Sequence, residues 1–130
     1  MPGTVEIPGV SKVESTELAL FIPSADRDLK PIDQSAWEQA ALELLGQYFG
    51  GATALPKGRG VWRDDRQGGK LIFDETIVIL CYTNREAFQK HVTAFRAFLV
   101  QMGKETNQGA VGFVLEGSYM EILMTEASNE

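Results

Sequence analysis

The chain reads as an α+β domain: an antiparallel sheet with two helices on one face, in the order β-α-β-β-α-β, plus one extra C-terminal strand. Three observations predict it. Apolar residues recur at helical spacing twice, once through Trp37, Ala41, Leu44, Leu45 and Tyr48, and again through Phe88, His91, Val92, Phe95, Phe98, Leu99 and Met102. A long run over 71–82 has strand composition and no helical period. Between the first helical stretch and that run lie Gly50, Gly51, Pro56, Gly58, Gly60, Gly68 and Gly69, which punctuate a helix end and a hairpin.

Residues 1–14 carry Pro2, Gly3, Pro8 and Gly9 and little periodicity, so they are expected to form a loose arm, with at most a short strand through Thr4-Val5-Glu6-Ile7. A single domain is expected over 15–125 and a polar tail over 126–130. The first firm strand runs over 16–22 and stops at Pro23. After a polar loop, Asp33 or Ser35 caps the first helix, Ser35-Ala36-Trp37-Glu38 having the form of a capping box. Gly50 and Gly51 end it. Residues 52–63 are expected to be extended but irregular, and 64–69 to turn the chain back. Thr83-Asn84-Arg85-Glu86 opens the second helix, and Gly103 is its expected stop. Two strands, over 110–115 and 119–124, complete the order around Glu116-Gly117-Ser118.

That order is the ferredoxin-like split βαβ plan. An antiparallel sheet with one face in water alternates apolar and polar residues. Here Ile77, Ile79 and Cys81 point one way while Val78, Leu80 and Tyr82 point the other, so both faces are apolar. Large open apolar patches are rare on monomers. A second copy of the sheet, in an isologous homodimer, is the expected cover; the N-terminal arm is the intrachain alternative.

The strand-helix-hairpin-helix-strand order resembles the small ferredoxin-like domains that pair sheet to sheet, the dimeric α+β barrels. Within that group, Trp37, Gly51-Ala52-Thr53, Gly60-Val61-Trp62 and Gln108 resemble a small bacterial family with no assigned activity, over about residues 16–115. The resemblance implies the fold and a homodimer. It implies no single function, because the group includes monooxygenases, dismutases and ligand-sensing modules. His91 does not match the haem- or substrate-binding histidines of its enzymes.

Composition bounds the rest. The chain has 130 residues and a net charge of −6, with 44% apolar and 23% charged residues, which is ordinary for a globular domain. One cysteine, Cys81, excludes an internal disulfide, and its apolar setting reads as a reduced, buried thiol. With no basic start followed by an apolar block, and no membrane-length apolar run, a cytoplasmic location without membrane contact is expected. The acidic balance disfavours nucleic acid. With one histidine and one thiol, no metal site and no cofactor is expected.

Candidate site residues are few. Lys57, Arg59, Arg63, Arg66 and Lys70 are five of the twelve basic residues, gathered around Trp62. Guanidinium groups bind carboxylates and phosphates, and an aromatic neighbour can stack on a ring. Arg59, Trp62 and Arg63 are therefore candidate contacts for a small anionic or aromatic ligand, against the plainer reading of a solvated hairpin guarding an edge. Gly58-Arg59-Gly60 lacks the third glycine of a dinucleotide loop and the Lys-Ser/Thr of a phosphate loop. Asp74 and Glu75 are adjacent in a strand, so they face opposite ways and cannot act as a pair. Glu75, Tyr82 and His91 are expected to line a pocket between helices and sheet if the chain is an enzyme, although His91 on a core stripe reads first as a packing residue. Met1-Pro2 would supply an N-terminal proline amine only if it opened a core strand. The reading is a homodimeric ferredoxin-like module, non-catalytic or binding a small ligand. The alternatives are a cofactor-independent enzyme acting on an organic substrate, and an anion or nucleotide contact through 57–70.

Overall fold

Strand residues Ile77, Ile79 and Cys81 alternate with half-buried or exposed neighbours, and that alternation decides which side of the sheet the helices take. The structure, a computed structural model, describes residues 5–124. Its elements are β1 (Thr16–Ile22), α1 (Gln34–Phe49), β2 (Thr53–Ala54), β3 (Gly58–Asp64), β4 (Lys70–Thr83), α2 (Arg85–Glu105), β5 (Ala110–Leu115) and β6 (Ser118–Leu123). The sheet is antiparallel, in the order β2-β4-β1-β5-β6, with β3 paired to the first half of β4. This is the ferredoxin-like plan with β6 added at one edge. The Met1-Pro2 amine and the 126–130 tail lie outside the described residues.

The core lies between the two helices and one sheet face. Leu18, Leu20 and Ile22 of β1, Ile77, Ile79 and Cys81 of β4, and Val111 and Phe113 of β5 point into it. Ala41, Leu45 and Phe49 of α1, and Phe88, Phe95, Phe98, Leu99 and Met102 of α2, close it from above. Phe95 is its centre, with the rings of Phe88, Phe113 and Phe49 at 5.4, 5.5 and 6.5 Å, all edge-on.

The helix boundaries follow side-chain chemistry. Asp33, not Ser35, caps α1, its carboxylate accepting from the Ala36 N–H, so the Ser35 capping box is not used. The buried stripe of α1 is Gln34, Ala41, Leu45 and Phe49, while Trp37, Leu44 and Tyr48 are half-buried on its flank. Asn84 caps α2 by accepting from the Ala87 N–H. Gly103 does not stop α2, which runs on to Glu105, and Thr106 takes the cap. A Cβ at Gly103 would run into Met124 and Val111, so this glycine is there for close helix–sheet packing. Val92 falls off the buried stripe and is exposed.

The irregular stretch after α1 resolves into two pieces. β2 pairs with Ile79 and Leu80, and β3 pairs with residues 70–76 of the same strand. The turn between β3 and β4 is a single 3-10 turn, Asp65–Gln67. No strand forms over residues 5–7, and most of the described arm before β1 is exposed. The sheet face opposite the helices, called here the far face, carries half-buried Phe21, Val78, Leu80 and Val114 and exposed Tyr82 and Tyr119. No helix packs on it, and the end of the described arm, at Lys12 and Glu14, lies beside Leu80 and Tyr82.

Candidate functional site

Beyond Ile77, β4 leaves the core and runs out with β3 as a two-stranded arm. Strand alternation gives this arm two faces. Trp62, paired with Ile72, and Gly60, paired with Asp74, turn toward the far face. Val61, paired with Phe73, Arg59, paired with Glu75, and Arg63, paired with Leu71, turn away from it.

Between the arm and the β5–β6 end of the far face lies a cleft of about 710 Å³. Its walls include Phe21, Trp62, Ile72, Asp74, Tyr119 and Glu121. The volume suits a small molecule. The Phe21 and Tyr119 rings sit 6.3 Å apart, tilted at 49°. Tyr119 donates its hydroxyl to Glu121 Oε2 at 3.0 Å. Desolvation, then that hydrogen bond and the charge of Glu121, push the Tyr119 phenol up to about 12. It is therefore a neutral donor throughout the physiological range.

Asp74 is fixed where the arm departs. The Ser24 hydroxyl donates to its Oδ1 at 2.5 Å, the Ser24 N–H donates to the same oxygen at 3.3 Å, and Thr76 Oγ1 donates to Oδ2 at 3.2 Å. The Glu75 N–H donates back to Ser24 Oγ at 3.2 Å. On the other side of the same bend, buried Gln34 donates through Nε2 to the carbonyls of Ile22 and Glu75 at 3.0 and 2.8 Å. These bonds tie the base of the arm to the ends of β1 and α1.

The residues singled out from the sequence are placed apart. Trp62 lines the cleft. Arg59 lies on the other face of the arm with its guanidinium 4.8 Å from the centroid of the Phe73 ring. Arg63 is held by Asp65, Nε donating to Oδ1 at 2.6 Å. Arg63 nevertheless lines the cleft together with Trp62, whereas Arg59 does not. Glu75 shares the face of Arg59 and is exposed. Tyr82 is on the far face but toward its opposite end, donating to Glu17 Oε2 at 3.1 Å; that bond, then the Glu17 charge, raises its phenol above the ordinary value. His91 is on α2, stacked on Tyr48 at 4.5 Å and 23°, with Phe49 edge-on at 6.1 Å. Glu75, Tyr82 and His91 thus form no common pocket between helices and sheet.

Among the described residues no group of three or more histidine, cysteine, aspartate or glutamate side chains is arranged to hold a metal, and no helix is long and apolar enough to cross a membrane. Burial pushes the Cys81 thiol up to about 11, so at neutral pH it is not a thiolate nucleophile. Sequence reasoning passed over Phe21, Asp74 and Tyr119 as wall residues. The parity that separates Asp74 from Glu75 would have grouped it with Ile72 and Thr76, but only the register places Trp62 opposite Ile72.

No family model and no curated protein sequence matches the chain. Among solved structures it is similar to a phage SAM lyase in complex with S-methyl-5'-thioadenosine, at 15% identity and a TM-score of 0.63, over 91% of this chain and 96% of that one. The apo state of the phage lyase matches at 14% identity and a TM-score of 0.57 over the same shares. A divalent cation tolerance protein from Thermus thermophilus matches at 14% identity and a TM-score of 0.53, over 77% of this chain and 80% of that one. These are small α+β folds of the ferredoxin-like type, and at such identities the likeness establishes the fold.

Proposed function

We propose that this chain is a self-associating module that binds a small aromatic ligand of nucleoside type in the cleft beneath the β3–β4 arm. The observation that carries the reading is the composition of that cleft. Phe21, Trp62 and Tyr119 offer ring faces for stacking, while Asp74 and Glu121 offer acceptors for the hydroxyl and amino groups of a nucleoside. The likeness in fold to a phage SAM lyase in complex with S-methyl-5'-thioadenosine supports the same ligand class. Self-association through the far face, in the simplest case as a homodimer, is supported by its half-buried Val78 and Leu80 and exposed Tyr82.

The test is calorimetric titration of adenosine, S-methyl-5'-thioadenosine and a set of aromatic acids into the wild type and Trp62→Ala. Saturable binding of a nucleoside that Trp62→Ala weakens at least tenfold supports the reading. Binding by none of them, or equal binding by the variant, overturns it. A second, enzymatic reading is favoured only by the lyase likeness. Incubation with S-adenosylmethionine decides it, because appearance of S-methyl-5'-thioadenosine would make the chain an enzyme.

A further inference from the structure

We propose that the β3–β4 arm of one copy docks on the far sheet face of a second copy of this chain. The inference rests on the reading that copies associate through that face, and it supplies what the face receives.

The arm projects from the domain with apolar side chains that its own copy leaves about half exposed. Val61, Trp62, Leu71 and Phe73 are 54, 50, 57 and 56% exposed. Trp62 turns toward the cleft of its own copy. Val61, Leu71 and Phe73 form a strip on the opposite face of the arm, with Arg59 stacked on Phe73 and Arg63 beside Leu71. An exposed apolar strip on a two-stranded ribbon is a liability unless it is buried against something.

Charge says what that something is. Over residues 57–70 five cations stand against Asp64 and Asp65, leaving the arm at +3 and the rest of the chain at −9. An arm of this sign is attracted to the body of another copy and is repelled by another arm. The far face has the matching layout. Its middle is apolar, with Ala19, Val78, Leu80 and Val114, and each end carries a tyrosine–carboxylate pair, Tyr82 with Glu17 and Tyr119 with Glu121. The apolar strip fits the middle, and Arg59 and Arg63 reach the carboxylates. The contact is head-to-tail: each copy gives one arm and accepts one, and it closes when the last arm finds the first face. A seated arm also covers the open side of the cleft, so the ligand site is complete only in the assembly.

The experiment is light scattering on the purified chain at micromolar concentration without added ligand, for the wild type, an arm variant (Leu71→Ser with Phe73→Ser) and a face variant (Leu80→Lys with Tyr82→Lys), each checked for native circular dichroism. The wild type is expected at a multiple of 14.3 kDa and each variant at that mass. An equimolar mixture of the two variants is expected to form a one-to-one pair, since one has an intact face and the other an intact arm. If the face variant fails to fold, Tyr82→Lys alone replaces it, because that side chain is 52% exposed. A monomeric wild type overturns both this inference and self-association. An arm variant that remains multimeric overturns the arm while leaving a sheet-to-sheet dimer standing. Two monomeric variants that do not pair on mixing overturn the head-to-tail geometry.

Discussion

The Tyr119 ring lies across Gly112 on the neighbouring strand, with its hydroxyl and Cζ in the space that a Cβ there would fill. This contact is what lays the phenol along the cleft wall, within reach of Glu121. The atoms in the way are the far end of the Tyr119 side chain and not backbone, so Gly112→Ala is expected to swing the ring out and leave the fold intact. Its phenol, now held up at about 12, should fall toward 10 once the hydroxyl is fully solvated and the Glu121 bond is lost. An ultraviolet titration of the three tyrosines reads this directly. An unchanged high-pH component would show that the ring had stayed in place.

Gly103 presents the opposite case. Alanine has the higher helix propensity, by about 1 kcal/mol in an exposed helix interior. Here the added methyl would meet Val111, a β-branched core residue, as well as Met124. Overpacking of that kind costs about 1–3 kcal/mol. Gly103→Ala should therefore lower the urea midpoint in spite of its propensity gain, and a raised midpoint would mean that α2 can slide off the sheet freely.

Phe95 is 2% exposed and ringed by three other phenylalanines. Emptying its site by Phe95→Ala should cost about 3–5 kcal/mol. Equilibrium denaturation against the wild type measures it, and a loss below about 1 kcal/mol would remove Phe95 from the centre of the core.

Cys81 has its thiol pushed up to about 11 from an ordinary 9.0 by burial. In the unfolded chain it ionises earlier, so between about pH 9 and 11 the unfolded state binds fewer protons than the folded one. Stability from this group is complete below pH 9 and declines as pH rises through that window. The melting temperature should fall from pH 8.5 to 10.5, and Cys81→Ala should flatten the fall. The native thiol should also resist a disulfide reagent at pH 8 until the protein is denatured. Rapid labelling would contradict its burial.

Much of the fold was legible because periodicity reports burial directly. The stripe from Phe88 to Met102 and the alternation from Ile77 to Cys81 determine which surfaces meet, and the strand order follows from them. Gly103 misled because a glycine near a helix end has two uses, and only the position of Val111 and Met124 tells a stop from a close approach. The cleft was less legible. Arg59, Trp62 and Arg63 are close in sequence, yet alternation along β3 turns Trp62 away from both arginines. The walls come from β1, β3, β4 and β6, which no local pattern joins. His91 shows the same limit: its helical position was plain, but not the Tyr48 ring it stacks on.

β4 is one strand under two kinds of selection. Its second half is locked between β1 and β2 and under both helices, where a change at Ile77 or Ile79 is punished by the whole domain. Its first half pairs only with β3, and there Leu71 and Phe73 stand outside the core cluster. Side chains at the outer end of the arm can therefore change at little cost to the core.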